Sequence, residues 1–318
     1  MVEVVVGILN KDCGDKLRAC LSSLIKQTFH DMVVVVVDGG SKDNSLEVIK
    51  EFAKSDSRIK FIIQKSKGTG MARNELIDYV RLYYPEAEFI VWGDAENIYP
   101  PNYLESLLRV NSEIIGGINI IDSNSPLSQA LWWYYNGFKG QTFVGNNVAV
   151  KTSTYEKIRY LPITKTEDFF FQKAASKMGI KAVKVKDAVC YIKTVESLRE
   201  FIKWEKSRAK GLWEGSKMTG STKTLWLTYL FTSIISTGYI IITPVLLALQ
   251  HPILLIPYIL TLILASAYLW FKGKMYVKKM RWGTFLFFVP LSLMDSLAVL
   301  VSLIKINVSK SRGMCLAL

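Results

Sequence analysis

The sequence predicts an α/β fold, a doubly wound sheet followed by an interfacial helix and C-terminal transmembrane helices. Three observations predict it. Strand-length apolar runs alternate with helix-period segments through residues 4–92. The run Phe89-Ile-Val-Trp-Gly-Asp-Ala-Glu-Asn97 ends abruptly in two acids, Asp94 and Glu96, and a buried strand that delivers carboxylates at its C-terminal end is how open α/β sheets build ligand sites. Residues 225–271 contain no Asp, Glu, Lys or Arg, which is room for two membrane spans of roughly 20 residues each.

The elements follow in order. Val4–Leu9 and Val33–Val37 are continuous apolar runs rich in valine, the pattern of strands covered on both faces in a mainly parallel sheet. Between them Leu17, Leu21, Leu24 and Ile25 recur at helical spacing. Ser45–Lys54 reads as a helix with Leu46, Ile49 and Ala53 on one side, Lys60–Gln64 as a third strand, Met71–Tyr84 as a helix and Glu88–Trp92 as a fourth strand. This alternation implies right-handed crossovers and a layered sheet. Beyond it, Glu113–Gly117 and Asn147–Val150 read as strands and Glu167–Met178 as a helix stopped by Gly179. Lys181–Val185 and Ala188–Ile192 read as two short strands.

Ser197–Trp213 places Leu198, Phe201, Ile202, Ala209, Leu212 and Trp213 on one helical face, with Arg199, Lys203, Lys206 and Lys210 mainly elsewhere. Such a helix suits a membrane interface, and also an ordinary domain surface. Gly215–Lys223 reads as a linker. Gln250-His251-Pro252 is the turn between two spans, and residues 283–304 form a third apolar run broken only by Asp295. Pro290 and Asp295 leave that run open to a bent or re-entrant course, and Asp295 to a functional or a helix-packing role.

The net charge of +13 does not point to nucleic acid, because many of the basic residues crowd membrane-proximal regions: Lys272, Lys274, Lys278, Lys279 and Arg281 cluster with no acid among them. By the positive-inside rule this loop faces the cytoplasm and the uncharged 250–252 turn faces outward, so the N-terminal domain is expected in the cytoplasm. Val2–Leu9 is too short for a signal peptide and contains Glu3. Cys13, Cys20, Cys190 and Cys315 show no metal-site or redox spacing and read as structural thiols. His30 and His251 form no constellation, and Trp132-Trp-Tyr-Tyr135 suits membrane-boundary or core packing more than sugar stacking.

Asp38 ends a strand and is followed by Gly39, Gly40 and a polar turn, in the sequence VVVVVDGGSKDNS. Gly68-Thr-Gly-Met-Ala-Arg-Asn74 is a second glycine-rich strand-to-helix junction, whose helix-starting amides and Arg73 suit phosphate. Lys165-Thr-Glu-Asp168 opens an apolar helix. There Thr166 suits an N-cap, and a carboxylate across a cleft suits a general base. Asp94 and Glu96 are hard oxygen ligands for Mg²⁺ or Mn²⁺.

Taken in this order, the motifs resemble family 2 glycosyltransferases, an inverting group with a GT-A fold, over roughly residues 2–213. Asn10 and Gln27 match the opening pattern. Asp38, Gly40, Ser41 and Asp43 match the Asp-x-Gly-Ser-x-Asp turn, and Gly70, Ala72, Arg73 and Asn74 the G-x-A-R-N element. Asp94-Ala95-Glu96 stands at the D-x-D position and Thr166-Glu167-Asp168 at the T-E-D motif. Lys206–Gly211, with Arg208, is similar to a basic interface-helix motif that engages donor diphosphate. Gly39 replaces a frequent second Asp, Glu96 replaces the second Asp of D-x-D, and a full Q-x-x-R-W is absent.

The resemblance implies a mixed, Rossmann-like GT-A domain at residues 1–195, and the residue pattern adds an amphipathic interface helix and linker at 196–223, a transmembrane region at 224–306 (spans near 224–249, 252–271 and 283–305) and a tail at 307–318. It implies Asp168 and Glu167 as catalytic residues. Asn10, Asp38, Gly40, Ser41, Gly70, Arg73, Asp94 and Arg208 are the donor contacts, and Asp94 and Glu96 the ligands of Mg²⁺ or Mn²⁺. The donor is a nucleotide sugar, UDP-linked in preference to GDP-linked. The acceptor is lipid-linked or polyprenyl, reached among membrane lipids, with no nucleic acid partner. Two other readings stay open: a polyprenyl-phosphate glycosyltransferase of the dolichol-phosphate sugar synthase type, whose ionised acceptor needs no base, and a non-catalytic membrane adaptor that keeps the nucleotide fold.

Overall fold

The computed structural model describes residues 3–133, 145–273, 277, 281, 284, 291 and 293–306. Tyr134, Tyr135, Cys315, Pro290, most of the 274–280 basic cluster, much of the 283–305 run and the 307–318 tail lie outside the described residues. The chain divides into two compact units, residues 1–120 with 141–193, and residues 121–140 with 194–318.

The first unit is an α/β domain with a mixed seven-stranded sheet. Its strands are β1 (Val4–Asn10), β2 (Met32–Asp38), β3 (Ile59–Ile63), β4 (Phe89–Asp94), β5 (Ile114–Ile121), β6 (Val148–Lys151) and β7 (Ala182–Ile192), in the order β3-β2-β1-β4-β6-β5-β7. The first four run parallel, and β6 is antiparallel to both β4 and β5. Valine runs dictate this: every residue of β2 is buried, and each such side chain contributes about 1.5–3 kcal/mol when fully removed from water. α1 (Gly14–Leu24), α2 (Ser45–Ser55) and α3 (Thr69–Tyr83) are the crossovers, and α1 buries Leu17, Leu21 and Leu24 as their spacing predicts, together with Cys20, while Ile25 follows the helix half-buried.

After β3 the chain returns to the far side of β1, so the order reverses between β1 and β4. Ligands of open α/β sheets bind outside the carboxyl ends of the strands at such a switch point. Register puts Asn10 beside Asp38 and Leu9 beside Asp94.

Several elements differ from the sequence reading. β7 is one strand of eleven residues rather than two; Lys186 and Asp187 are both exposed and break the alternation without breaking the strand. β5 continues through Gly116 and Gly117 to Ile121. Short helices α4 (Tyr103–Leu108) and α6 (Thr154–Lys157) form where no helical period is long enough to see, and α7 (Glu167–Lys177) ends before Gly179 at φ +74°.

The second unit contains α5 (Pro126–Trp133) and α8 (Leu198–Met218), which is capped by Ser197 accepting from the Glu200 amide. α8 runs four residues into the expected linker and turns at Gly220, φ +66°. α9 (Thr222–Thr237), a π-helical turn at Gly238–Ile242 and α10 (Thr243–Gln250) form one helix, Thr222–Gln250. Among the described residues it is the one helix long and apolar enough to cross a membrane. His251–Pro252 is the turn, and α11 (Leu255–Gly273) follows. Phe201, Ala209, Leu212 and Trp213 are buried, whereas Leu198 and Ile202 are exposed, so the apolar face expected of α8 is split between core and surface.

Candidate active site

At the tip of β2, Asp38 is fully buried and both its oxygens are taken. Oδ1 accepts from Asn10 Nδ2 at 2.8 Å and Ser41 Oγ at 2.6 Å, and Oδ2 from the Gly40 and Ser41 amides at 3.1 and 2.9 Å. Gly40 sits at φ +76°, a left-handed conformation that costs glycine nothing. Asp43 accepts from the Gly14 amide at 2.8 Å and from Ser45, so one acid caps the starts of α1 and α2. The Gly14 amide, with Ser45, holds the Asp43 carboxyl below its ordinary value. The Asp38 turn is thus prebuilt by its own backbone.

At the tip of β4, Asp94 is half-buried. Burial pushes its carboxyl above the ordinary range; Arg73 pulls it back, Glu96 raises it, and Lys165 and the nearby Asn146 side chain lower it. Glu96, also half-buried, pairs with Lys16 at 2.6 Å. Gly93 has a packing reason: a Cβ there would lie 2.0 Å from the Tyr99 hydroxyl.

Arg73, on α3, is 3% exposed and donates from Nε to Glu167 Oε1 at 2.8 Å. Its guanidinium lies 4.7 Å from the Trp92 ring centroid and 5.3 Å from that of Tyr160. Burial opposes the charge, but Glu167, Tyr160 and Asp94 outweigh it and hold the guanidinium cationic. Nη1 has no hydrogen-bond partner among the described residues. Arg73 therefore holds the helix start that carries Asp168, and its charge lowers the Asp94 carboxyl.

Gly70 packs against backbone: a Cβ would fall 1.8 Å from the Leu161 carbonyl oxygen. Thr69 Oγ1 donates to the Thr164 carbonyl at 2.9 Å, and Asn74 exchanges two hydrogen bonds with the Tyr160 backbone. The glycine-rich junction is thus docked on residues 160–164, a role its sequence did not disclose. Thr166 takes the N-cap position of α7 but does not cap it; it sits at φ +65°, and its hydroxyl turns back to the Lys165 carbonyl. A left-handed β-branched residue stores about 1–3 kcal/mol of strain, characteristic of functional segments. Asp168 Oδ2 accepts from the Gly145 amide at 3.1 Å and Oδ1 from the Phe169 amide at 2.9 Å.

Asn10, Asp38, Gly40, Ser41, Gly70, Arg73, Asp94, Glu96, Glu167 and Asp168 all belong to the first unit. Arg208 belongs to the second, where it pairs with Glu205 at 2.8 Å and with Asp295, donates to the Tyr229 hydroxyl at 3.1 Å, and stacks near Trp204. These partners give Arg208 and Asp295 a helix-packing role in that unit. Sequence reasoning missed Lys16, Asn97, Asn119 and Asn146; the paired asparagines at 146–147, just before a strand, were the available signal.

Two half-buried carboxylates at and just past a strand tip fit a divalent cation that takes one or two carboxylates and completes its shell with phosphate oxygens. No cluster of three His, Cys, Asp or Glu is present among the described residues.

The glycosyltransferase GlyG of Streptococcus pneumoniae serotype 4 is 29% identical over 157 residues, 48% of this chain and 48% of GlyG. The UDP-Glc:alpha-D-GlcNAc-diphosphoundecaprenol beta-1,3-glucosyltransferase WfgD of Escherichia coli is 30% identical over 159 residues, 50% of this chain and 54% of WfgD. The match spans less than a third of several other relatives. In structure, the chain is similar to the mannosyltransferase PcManGT of Pyrobaculum calidifontis, solved with GDP-Man and Mn²⁺, at TM-score 0.53 and 16% identity, over 95% of this chain and 86% of that one; the likeness is one of fold. Residues 3–160 match the family described as Glycosyl transferase family 2. The α/β unit whose strand tips carry Asn10, Asp38 and Asp94 is therefore a glycosyltransferase family 2 domain.

Proposed function

We propose that the chain is a membrane-bound inverting glycosyltransferase that moves a sugar from a nucleotide-diphosphate sugar, preferably UDP-linked, to a hydroxyl of a lipid-linked saccharide. The observation that carries the reading is Arg73, buried and paired with Glu167 at 2.8 Å at the helix start that presents Asp168, its charge lowering the Asp94 carboxyl.

The Asp38–Ser41 turn supplies the bed for base and ribose, with Asn10 fixing its shape. Asp94, with Glu96 assisting once it parts from Lys16, would hold Mg²⁺ or Mn²⁺, which supplies positive charge beside the diphosphate. Asp168 takes the proton of the acceptor hydroxyl. The acceptor oxygen bonds to the anomeric carbon from the face opposite the leaving group, and the electron pair of the breaking C–O bond leaves with the nucleoside diphosphate. Glu167, bound to Arg73, orients the start of α7 rather than exchanging a proton. The Asp168 position and the acceptor in WfgD's name support a hydroxyl of a lipid-linked saccharide over a polyprenyl phosphate.

Membrane attachment is supported by the apolar Thr222–Gln250 helix and by α8 before it. Leu198, Arg199, Ile202, Lys203 and Lys206 line a shallow groove on α8, an apolar and basic surface suited to anionic lipid at the cytoplasmic leaflet. The test is a transfer screen across nucleotide sugars with Mn²⁺, offering polyprenyl phosphate and polyprenyl-diphosphate saccharide in parallel. Product on the saccharide alone is expected; product on the bare phosphate overturns the acceptor class, and no turnover of any donor favours an adaptor.

A further inference from the structure

We propose that Gly145 is a positioning residue for Asp168: its backbone amide, brought close because residue 145 has no side chain, fixes the carboxylate for the proton it takes from the acceptor. The inference rests on the base role given to Asp168 above. Two observations carry it. The Gly145 amide donates to Asp168 Oδ2 at 3.1 Å across 23 residues of sequence. A Cβ on Gly145 would lie 2.8 Å from both Cβ and Oδ2 of Asp168 and 3.0 Å from its Cγ, and these are the nearest atoms it would meet among the described residues.

The two hydrogen bonds to this carboxylate differ in reach. Oδ1 accepts from the Phe169 amide at 2.9 Å, one residue on. The first amides of a helix have no partner within it, so such a bond is local and ties the acid only to α7. The Gly145 bond ties it to the turn that leads into β6. That turn is itself anchored. Asn97 Nδ2 donates to the Asn146 carbonyl at 2.7 Å, Asn119 Nδ2 to Asn146 Oδ1 at 2.8 Å, and the Gly117 amide to the Asn147 carbonyl at 3.1 Å. Gly117 and Asn119 belong to β5, so Asp168 is registered against the sheet as well as against its own helix. An ionised carboxylate has about four acceptor sites. One amide on each oxygen stops the group from turning and still leaves each oxygen a lone pair for a proton.

The backbone does not itself demand glycine at 145, which is not among the glycines of positive φ. The cost of a side chain there falls on the contact with Asp168. To regain ordinary contact the two residues must part by about half an ångström, and a misplacement of about 1 Å can lower a rate about 100-fold.

The test compares wild type with Gly145→Ala in the full chain in detergent, using the donor and acceptor that give product in the transfer screen. The kcat for transfer is expected to fall about tenfold or more, while the dissociation constant of the nucleotide sugar, read by calorimetry, stays within about twofold. A folded Gly145→Ala with wild-type kcat overturns the proposal, whatever its melting temperature, and so does a loss of donor affinity as large as the loss of kcat. Amide hydrogen exchange read by mass spectrometry guards against a variant that does not fold. The Gly145 amide is expected to exchange about tenfold faster or more in Asp168→Ala than in wild type; equal rates overturn the proposal. Undiminished transfer by Asp168→Asn removes the base role itself, and the inference with it.

Discussion

Asp168 and Glu167 stand side by side, yet their surroundings assign them different work. Glu167 is sealed against Arg73 at 5% side-chain exposure, while Asp168 is half-buried and held by two backbone amides. Asp168→Asn keeps the shape and one of the two acceptor oxygens but cannot take a proton. Transfer should fall to background, while UDP-sugar affinity, read by calorimetry, stays within about twofold; equal loss of both would contradict the base role. At this scale the sequence was partly legible. Asp38, Asp94 and the Thr-Glu-Asp run stood out because acids at strand tips and helix starts follow from local pattern. The pairing of Asn119 with Asn146 did not, because one lies in β5 and the other in the turn before β6, and no periodicity relates them.

The start of α3 is a docking joint as well as a motif. Gly70 faces the Leu161 carbonyl at a distance no Cβ tolerates, whereas Gly40 has open space around it and only its positive φ to satisfy. Gly70→Ala should therefore destabilise by about 3 kcal/mol or more in thermal denaturation, and Gly40→Ala by about 1 kcal/mol. A reversed ranking would contradict the packing account. In α8, a helical period was legible but its buried side was not: Phe201, Ala209, Leu212 and Trp213 were spoken for by the core, which left Leu198 and Ile202 outside. The double variant Lys203→Glu/Lys206→Glu should lower binding of the chain to phosphatidylglycerol vesicles at least about fivefold relative to phosphatidylcholine, at about 1 kcal/mol per basic residue near an anionic surface. Unchanged partition would show that α8 does not touch lipid.

For the whole molecule, the strand order β3-β2-β1-β4-β6-β5-β7 explains why residues far apart in sequence share one edge. The parallel half was legible because its strands are buried on both faces and read as unbroken apolar runs. The β5–β7 half was blurred by Gly116, Gly117, Lys186 and Asp187, which interrupt the pattern without interrupting the strands. Stripping the protein with EDTA should abolish transfer, and Mn²⁺ should restore it, while melting temperature without donor changes by less than about 2 °C. A large fall in melting temperature would show instead that the cation is part of the fold.

The adjacent charges of β7 reach beyond the fold itself. A border strand with free backbone groups invites a second molecule to zip onto it and begin a fibre. Here Lys186 and Asp187 both project into solvent on an otherwise regular ribbon, and Asp187 is clasped by Arg109 at 2.7 Å. A newcomer strand would have to strip water from those charges before gaining its first rung, so crowded copies are kept from polymerising through this margin.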